Sequence, residues 1–246
     1  MSSTFSCEPS KYNKYRLQYP SSLFEFLHKI TNNAKIVLDC GAGSGQAALG
    51  LAKCFNEVIA TDLSFNLLKQ GPQIKNIWYV QANAEQLPIR NHSVELVTIA
   101  QAIHWFNLEF FYNEVKRVLK PKGIIAAWCY NKATVNLEVD SIIDVIYKKI
   151  SGSDVPSLQR KYVHDGYSTL PFPFIPVEHP NFEISMQWNF HELLGHIETW
   201  PGLIDYRKKF GDQIKNEFRD TLLNVWGNPE QKKSINWSIY LLLGRL

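Results

Sequence analysis

Three glycines fall within five residues, Gly41, Gly43 and Gly45 of 36-IVLDCGAGSGQAALGLA-52, and Asp39 stands two residues before the first of them. Glycine serves where the backbone turns with positive φ or where a ligand must come closer than a Cβ permits, so the loop, Ala42 included, reads as main chain laid against a ligand. A phosphate cradle of the form GxxxxGK[ST] needs a lysine after the glycines, and none follows. A dinucleotide fingerprint needs GxGxxG, and here Gln46 occupies the slot of the third glycine. An aspartate just upstream also opposes a phosphate held on a helix N-terminus. Asp39 therefore favours a ligand with a cationic group.

Two more polar clusters follow β-rich runs. In 58-VIATDLS-64, Asp62 stands 21 residues after Gly41, where a carboxylate accepts both hydroxyls of a ribose, with Leu63 beside it; a helix start ahead of Ser64 is the structural alternative. In 81-QANAEQLPI-89, Asn83 offers an amide to an adenine edge and the N–H of Ala84 or Glu85 meets a ring nitrogen, or the stretch is an ordinary turn. Gln101 follows a fourth apolar run, and 104-HWF-106 turns imidazole and aromatic groups toward the same mouth. His104 has the pKa range of a general base; a packed, hydrogen-bonded histidine beside Trp105 and Phe106 is the blander account.

These residues need elements to carry them. From residue 36 to 130, β-rich runs (36–40, 57–63, 77–83, 94–101, 123–130) alternate with helical ones, which predicts a parallel sheet with crossover helices. The run 109–120 places Phe111, Val115, Val118 and Leu119 on one helical face, and 121-PKG-123 ends it. Strict alternation at 182–190 and 235–243 predicts two half-exposed strands, joined by a largely helical stretch, 191–226, that Pro201 and Gly202 punctuate. Before them come a helix near 135–150 and a proline- and aromatic-rich loop, 166–180.

At 246 residues, 45% hydrophobic and 13% aromatic, the chain supports one large domain with a real core. A net charge of +3 without a long block of like charges argues against a nucleic-acid partner. No run of 18 apolar residues and no apolar leader core are present, so the expectation is no membrane partner and a cytoplasmic address. Cys7, Cys40, Cys54 and Cys129 lack CxxC spacing and read as reduced thiols. No His/Asp/Glu cluster has ligand spacing, so no metal is expected.

In order and spacing, VLDCGAGSG, VIATDLS, QANAEQLP, LVTIAQAIHWF and RVLKPKGIIAAW resemble the motifs of the class I S-adenosylmethionine-dependent methyltransferases over about residues 12–130. The segment 12-YNKYRLQYP-20 and the tail after Val177 look like the type 11, trans-aconitate methyltransferase-like small-molecule subgroup, although Leu17-Gln18 replaces the usual proline after Arg16. The resemblance implies an α/β, Rossmann-like, seven-stranded and mostly parallel sheet. Its order is 3-2-1-4-5-7-6 with strand 7 antiparallel, with helices on both faces and a helical or loop lid.

It implies one domain over 1–246: lid helices in 1–30, a cofactor-binding core in 31–130, and substrate-side insertions with the last two strands in 131–246. The cofactor is S-adenosyl-L-methionine and the product S-adenosyl-L-homocysteine. Gly41, Gly43 and Gly45 would line the methionine part, Asp39 would order the loop near its ammonium, Asp62 would bind ribose, and Asn83 would stand where many relatives have aspartate. Tyr15 and Arg16 would close over the cofactor, with Gln101 at the sheet edge. Tyr19, His104, Trp105 and Trp200 are candidate acceptor contacts, and Tyr167, Phe172, Phe174, Arg160, Lys161 and Arg207 candidate pocket groups.

The expected reaction is methyl transfer to a small-molecule acceptor, a carboxylate oxygen among the options, by a monomer or homodimer. Two rivals remain at this stage. An NAD-dependent oxidoreductase conflicts with the glycine spacing and Asp39, and a non-enzymatic protein that binds S-adenosylmethionine or S-adenosylhomocysteine does not.

Overall fold

The computed structural model describes residues 17–32, 34–151 and 158–246. Parallel ladders join β1 (Ile36–Cys40) to β2 (Glu57–Asp62) and β4 (Val94–Ala100), β2 to β3 (Ile77–Gln81), and β4 to β5 (Leu119–Tyr130). β8 (Lys233–Arg245) runs antiparallel to β5 and to the two-residue β6 (Ile175–Pro176). The sheet order is β3-β2-β1-β4-β5-β8-β6, and β7 (Phe182–Trp188) also pairs with β8. The predicted antiparallel strand beside the fifth is β8. β6 is an extra short strand inside the proline-rich loop, seated where Gly244 leaves room for Phe172 and Phe174.

By chain contacts the molecule divides into two compact units. The first, comprising residues 19–131, 158–183 and 238–246, holds most of the sheet. Its strands are apolar on both faces, as parallel strands under helices must be. Leu38, Val97, Ile99, Ile125 and Ala127 pack with Phe111, Tyr112, Val115 and Val118 of helix α4 (Leu108–Val118). On the other face Trp128 meets Phe24 of α1 (Ser21–Ile30), and Phe24 lies so close to Gly50 of α2 (Gln46–Leu51) that a Cβ there would stand 2.0 Å from its ring. Burying each such side chain contributes about 1.5–3 kcal/mol.

One boundary differs from the sequence expectation. α4 ends at Val118 rather than near 120, because Leu119 already pairs with Val94, and the chain then loops out before Ile124 pairs with Leu96. Pro121 forbids helical continuation at Lys120, and Lys122 takes φ +64°. Between β3 and β4 stands a loop, in keeping with the polar turn read at 81–89. It is held by Arg117, whose guanidinium donates to the carbonyls of Leu87 (2.9 Å) and Ile89 (2.6 Å) while pairing with Glu114 at 2.7 Å. Glu114 also accepts the Leu87 N–H at 2.8 Å.

Helix α3 (Phe65–Leu68) follows β2, and α6 (Leu158–His164) precedes the proline-rich loop. The second unit, among the described residues 17–18, 132–151 and 184–237, is mainly helical. It contains α5 (Leu137–Ser151), α7 (Phe190–Ile197), α8 (Pro201–Phe210) and α9 (Gln213–Trp226). A capping box between Asn189 and Glu192 starts α7. Within this unit His196 is buried among the rings of Trp188, Trp237 and Trp200.

Candidate active site

The glycine loop leaves β1 with Gly41 at φ +67°, Gly43 at +57° and Gly45 at +76°, a left-handed run open to glycine at no steric cost. A Cβ on Gly41 would stand 2.6 Å from Ala102 Cβ, and one on Gly45 would stand 2.4 Å from Tyr79 Oη. The loop is tied down by main chain and by one carboxylate. Ala42 N–H donates to Thr61 O at 2.9 Å, and Gly43 N–H donates to Asp62 Oδ2 at 2.9 Å. Asp62 Oδ1 accepts the Ser64 N–H at 2.8 Å, so this one side chain joins the end of β2 to the glycine loop. Each of its oxygens keeps a further lone pair for a ligand hydroxyl. Ser64 itself caps α3, so the helix-start reading describes Ser64 and the joining role falls to Asp62.

Asp39 is fully buried, and its Oδ1 accepts the Thr98 hydroxyl at 2.7 Å. Thr98 and Tyr79 are site residues the sequence does not announce. Tyr79 donates to Pro72 O at 3.3 Å, and burial, with Asp39 nearby, pushes its phenol up to about 12. Only the pairing of β2 with β3, and of β1 with β4, brings them to the loop.

At the polar turn, Asn83 O accepts the Gln86 N–H at 3.0 Å, and Ala84 is buried in the core cluster. Glu85 Oε1 accepts the Asn107 N–H at 2.8 Å, at the start of α4, and the Glu85 N–H lies 3.4 Å from Asn83 Oδ1. Leu63 stays 68% exposed beside Asp62. Gln101 adopts φ +57°, donates its N–H to Trp128 O at 2.9 Å and its amide to Tyr130 O at 3.1 Å. Tyr19 lies edge-on to Trp128 with ring centroids 5.5 Å apart, so Tyr19 and Gln101 share the C-terminal end of β5.

His104 sits in a one-turn 3-10 helix, Ile103–Trp105, half-buried beside an exposed Trp105. Its Nδ1 lies 2.8 Å from Tyr167 Oη, and burial lowers its pKa to about 4. Of the three aromatic candidates in the proline-rich loop, Tyr167 reaches His104. Phe172 and Phe174 pack instead against Tyr112, whose hydroxyl donates to Pro171 O at 2.5 Å. Arg160 and Lys161 lie exposed on α6. In the second unit, Arg207 is ion-paired with Asp212, and Trp200 stacks edge-on to Tyr147. Tyr15 and Arg16 lie outside the described residues, as does Cys7. Cys40 and Cys129 are buried, free thiols whose pKa burial raises. Among the described residues there is no group of three or more metal-ligating side chains, and no helix is long and apolar enough to cross a membrane.

The sequence profile of a family described as a methyltransferase domain matches residues 38–127, from β1 into β5. The solved structure of a protein from Anaeromyxobacter dehalogenans, titled as a type II methyltransferase, is 36% identical, covers 94% of this chain and 97% of its own, and superposes with a TM-score of 0.87. This chain belongs to the class I S-adenosylmethionine-dependent methyltransferases. A methyltransferase-named protein of Dictyostelium discoideum is 27% identical over 98% of this chain and 94% of its own length. A Saccharomyces cerevisiae protein named as an S-adenosylmethionine-dependent methyltransferase is 33% identical over 64% of this chain and 56% of its own.

The methyltransferase takes S-adenosylmethionine as its cofactor, and its residues fit that group. Asp62 retains acceptor lone pairs beside the left-handed glycine loop, and Leu63 offers an uncovered apolar surface next to it.

Proposed function

We propose that this methyltransferase methylates a carboxylate oxygen of a small-molecule acid, with the whole chain acting as one catalytic domain. S-adenosylmethionine, when bound, supplies a methyl carbon already activated by a sulfonium leaving group. In this reading the main chain from Gly41 through Ala42 and Gly43 to Gly45 lies along its methionine part, and Asp39 orders that loop near the ammonium. Asp62 accepts the ribose hydroxyls, Leu63 covers the adenine face, and Asn83 with the N–H of Ala84 or Glu85 meets the adenine edge. Gln101 holds the sheet edge, while Tyr19, His104 and Trp105 form the acceptor side.

The observation that carries the choice of acceptor is His104. Burial depresses its pKa to about 4, so the imidazole is neutral at physiological pH and a poor proton acceptor. A hydroxyl or amine acceptor wants a base that this ring does not provide. A carboxylate is already ionised and needs only to be aligned and desolvated, and alignment alone supplies about 7–11 kcal/mol in favourable cases. The test is transfer of isotopically labelled methyl to a panel of small carboxylic acids, phenols and amines. The expected product is a methyl ester that releases label as methanol in mild base. Base-stable label on a phenol or an amine, with no acid labelled, sinks the proposal.

A further inference from the structure

The end of α6 and the turn that follows it, through Tyr167, are shaped to deliver one hydroxyl. Gly166 and Tyr167 take φ +58° and +61° in succession, and a Cβ on Gly166 would stand 2.5 Å from the Tyr240 ring, so the chain is pressed against β8 there. A left-handed conformation costs a residue such as tyrosine about 1–2 kcal/mol, and such strain persists where the surroundings over-determine it, often at functional sites. Two backbone bonds fix the turn: Tyr167 N–H to Tyr162 O at 2.8 Å, and Leu170 N–H to Tyr167 O at 3.0 Å.

The Tyr167 side chain is fully buried, in the core cluster that also holds Cys129 and Tyr112. Among the described residues its hydroxyl has one hydrogen-bond partner, His104 Nδ1 at 2.8 Å. A buried O–H that donates to nothing costs about 1–3 kcal/mol. If Nδ1–H donated to the phenol oxygen, the phenolic hydrogen would be left in that position. The favourable arrangement is the reverse, with the phenol donating and the imidazole hydrogen on Nε2. Nε2 makes no hydrogen bond among the described residues, on a ring that is only half-buried and next to the exposed Trp105.

We infer that Tyr167 is a positioning residue for methyl transfer: its hydroxyl donates to His104 Nδ1, locks the ring as the Nε2–H tautomer, and so presents a neutral donor to one oxygen of the acceptor carboxylate. The last clause rests on the acceptor proposed above; the tautomer does not. The lock also accounts for a tyrosine held in a conformation that costs it energy, since phenylalanine would fill the same space without supplying the hydrogen.

The experiment is nitrogen-15 NMR of histidine-labelled protein, with the His104 signals identified by their loss in His104→Gln. Two-bond couplings distinguish the tautomers, and wild type is expected to show Nε2–H for His104 above pH 6. In Tyr167→Phe, Nδ1–H should become populated, and kcat/KM for an acid acceptor should fall about tenfold, the loss of one hydrogen bond, with S-adenosylmethionine affinity unchanged. An Nδ1–H ring in wild type overturns the inference, and so does an Nε2–H ring that Tyr167→Phe leaves untouched. The wild-type spectrum decides the hydrogen's place even where the variant folds poorly. The expected tautomer behaviour combined with transfer only to phenols or amines refutes the carboxylate acceptor and leaves the Tyr167 lock standing.

Discussion

Replacing Asp62 with alanine is expected to raise the dissociation constant for S-adenosylmethionine by about 100-fold or more, roughly 3 kcal/mol, as read by titration calorimetry. The reason is that this carboxylate has two tasks. It accepts the Gly43 N–H at 2.9 Å and the Ser64 N–H at 2.8 Å, and hydrogen bonds to a charged partner contribute about 1.5–3 kcal/mol each. Its loss frees the middle of the glycine loop and also removes the proposed acceptor for the ribose hydroxyls. Asp62→Asn separates the tasks, because an amide oxygen still accepts from Gly43 but presents one acceptor atom instead of two. An intermediate loss is expected there, near tenfold by the same arithmetic. Affinity preserved in Asp62→Ala would remove Asp62 from the cofactor site.

The second large effect lies on the other side of the same loop. Gly41→Ala puts a methyl group 2.6 Å from Ala102 Cβ and 3.1 Å from the Phe106 ring, on a backbone at φ +67°. Ala102 belongs to the buried core cluster and cannot swing aside. The left-handed backbone costs about 1–2 kcal/mol and the overpacking about 1–3 kcal/mol more, a large part of the 5–15 kcal/mol that holds a typical domain. Chemical denaturation should show the lower midpoint. A midpoint unchanged from wild type would mean that the loop and Ala102 relax to admit the methyl group.

How far the sequence discloses this site depends on the range of the interactions. The strands of the parallel core, the antiparallel β8 and the glycine loop were legible because hydrophobic period and glycine spacing are local properties. Asp62 was legible as a residue at a strand end, but its grip on Gly43 was not, since that bond spans two strands brought together by the sheet. Thr98 on Asp39, Tyr79 under Gly45, and the Arg117–Glu114 clamp on the turn after β3 were invisible for the same reason. The aromatic loop 166–180 shows the converse limit. Composition marked Tyr167, Phe172 and Phe174 alike, whereas packing sends two of them to Tyr112 in the core and one to His104. No local pattern distinguishes a phenol that fills space from one that orients a ring.

His104 separates the account most cleanly from its competitors. With its pKa lowered to about 4, the ring is neutral throughout the range in which the enzyme is assayed, and a carboxylate acceptor is ionised throughout it. The measurement is kcat/KM for the methyl acceptor against pH from about 6 to 9, at saturating S-adenosylmethionine. A flat profile is the predicted result, because nothing on the acceptor or on His104 changes charge there. A profile that climbs about tenfold per pH unit, as it would for a phenol or an amine that must first lose a proton, would contradict it.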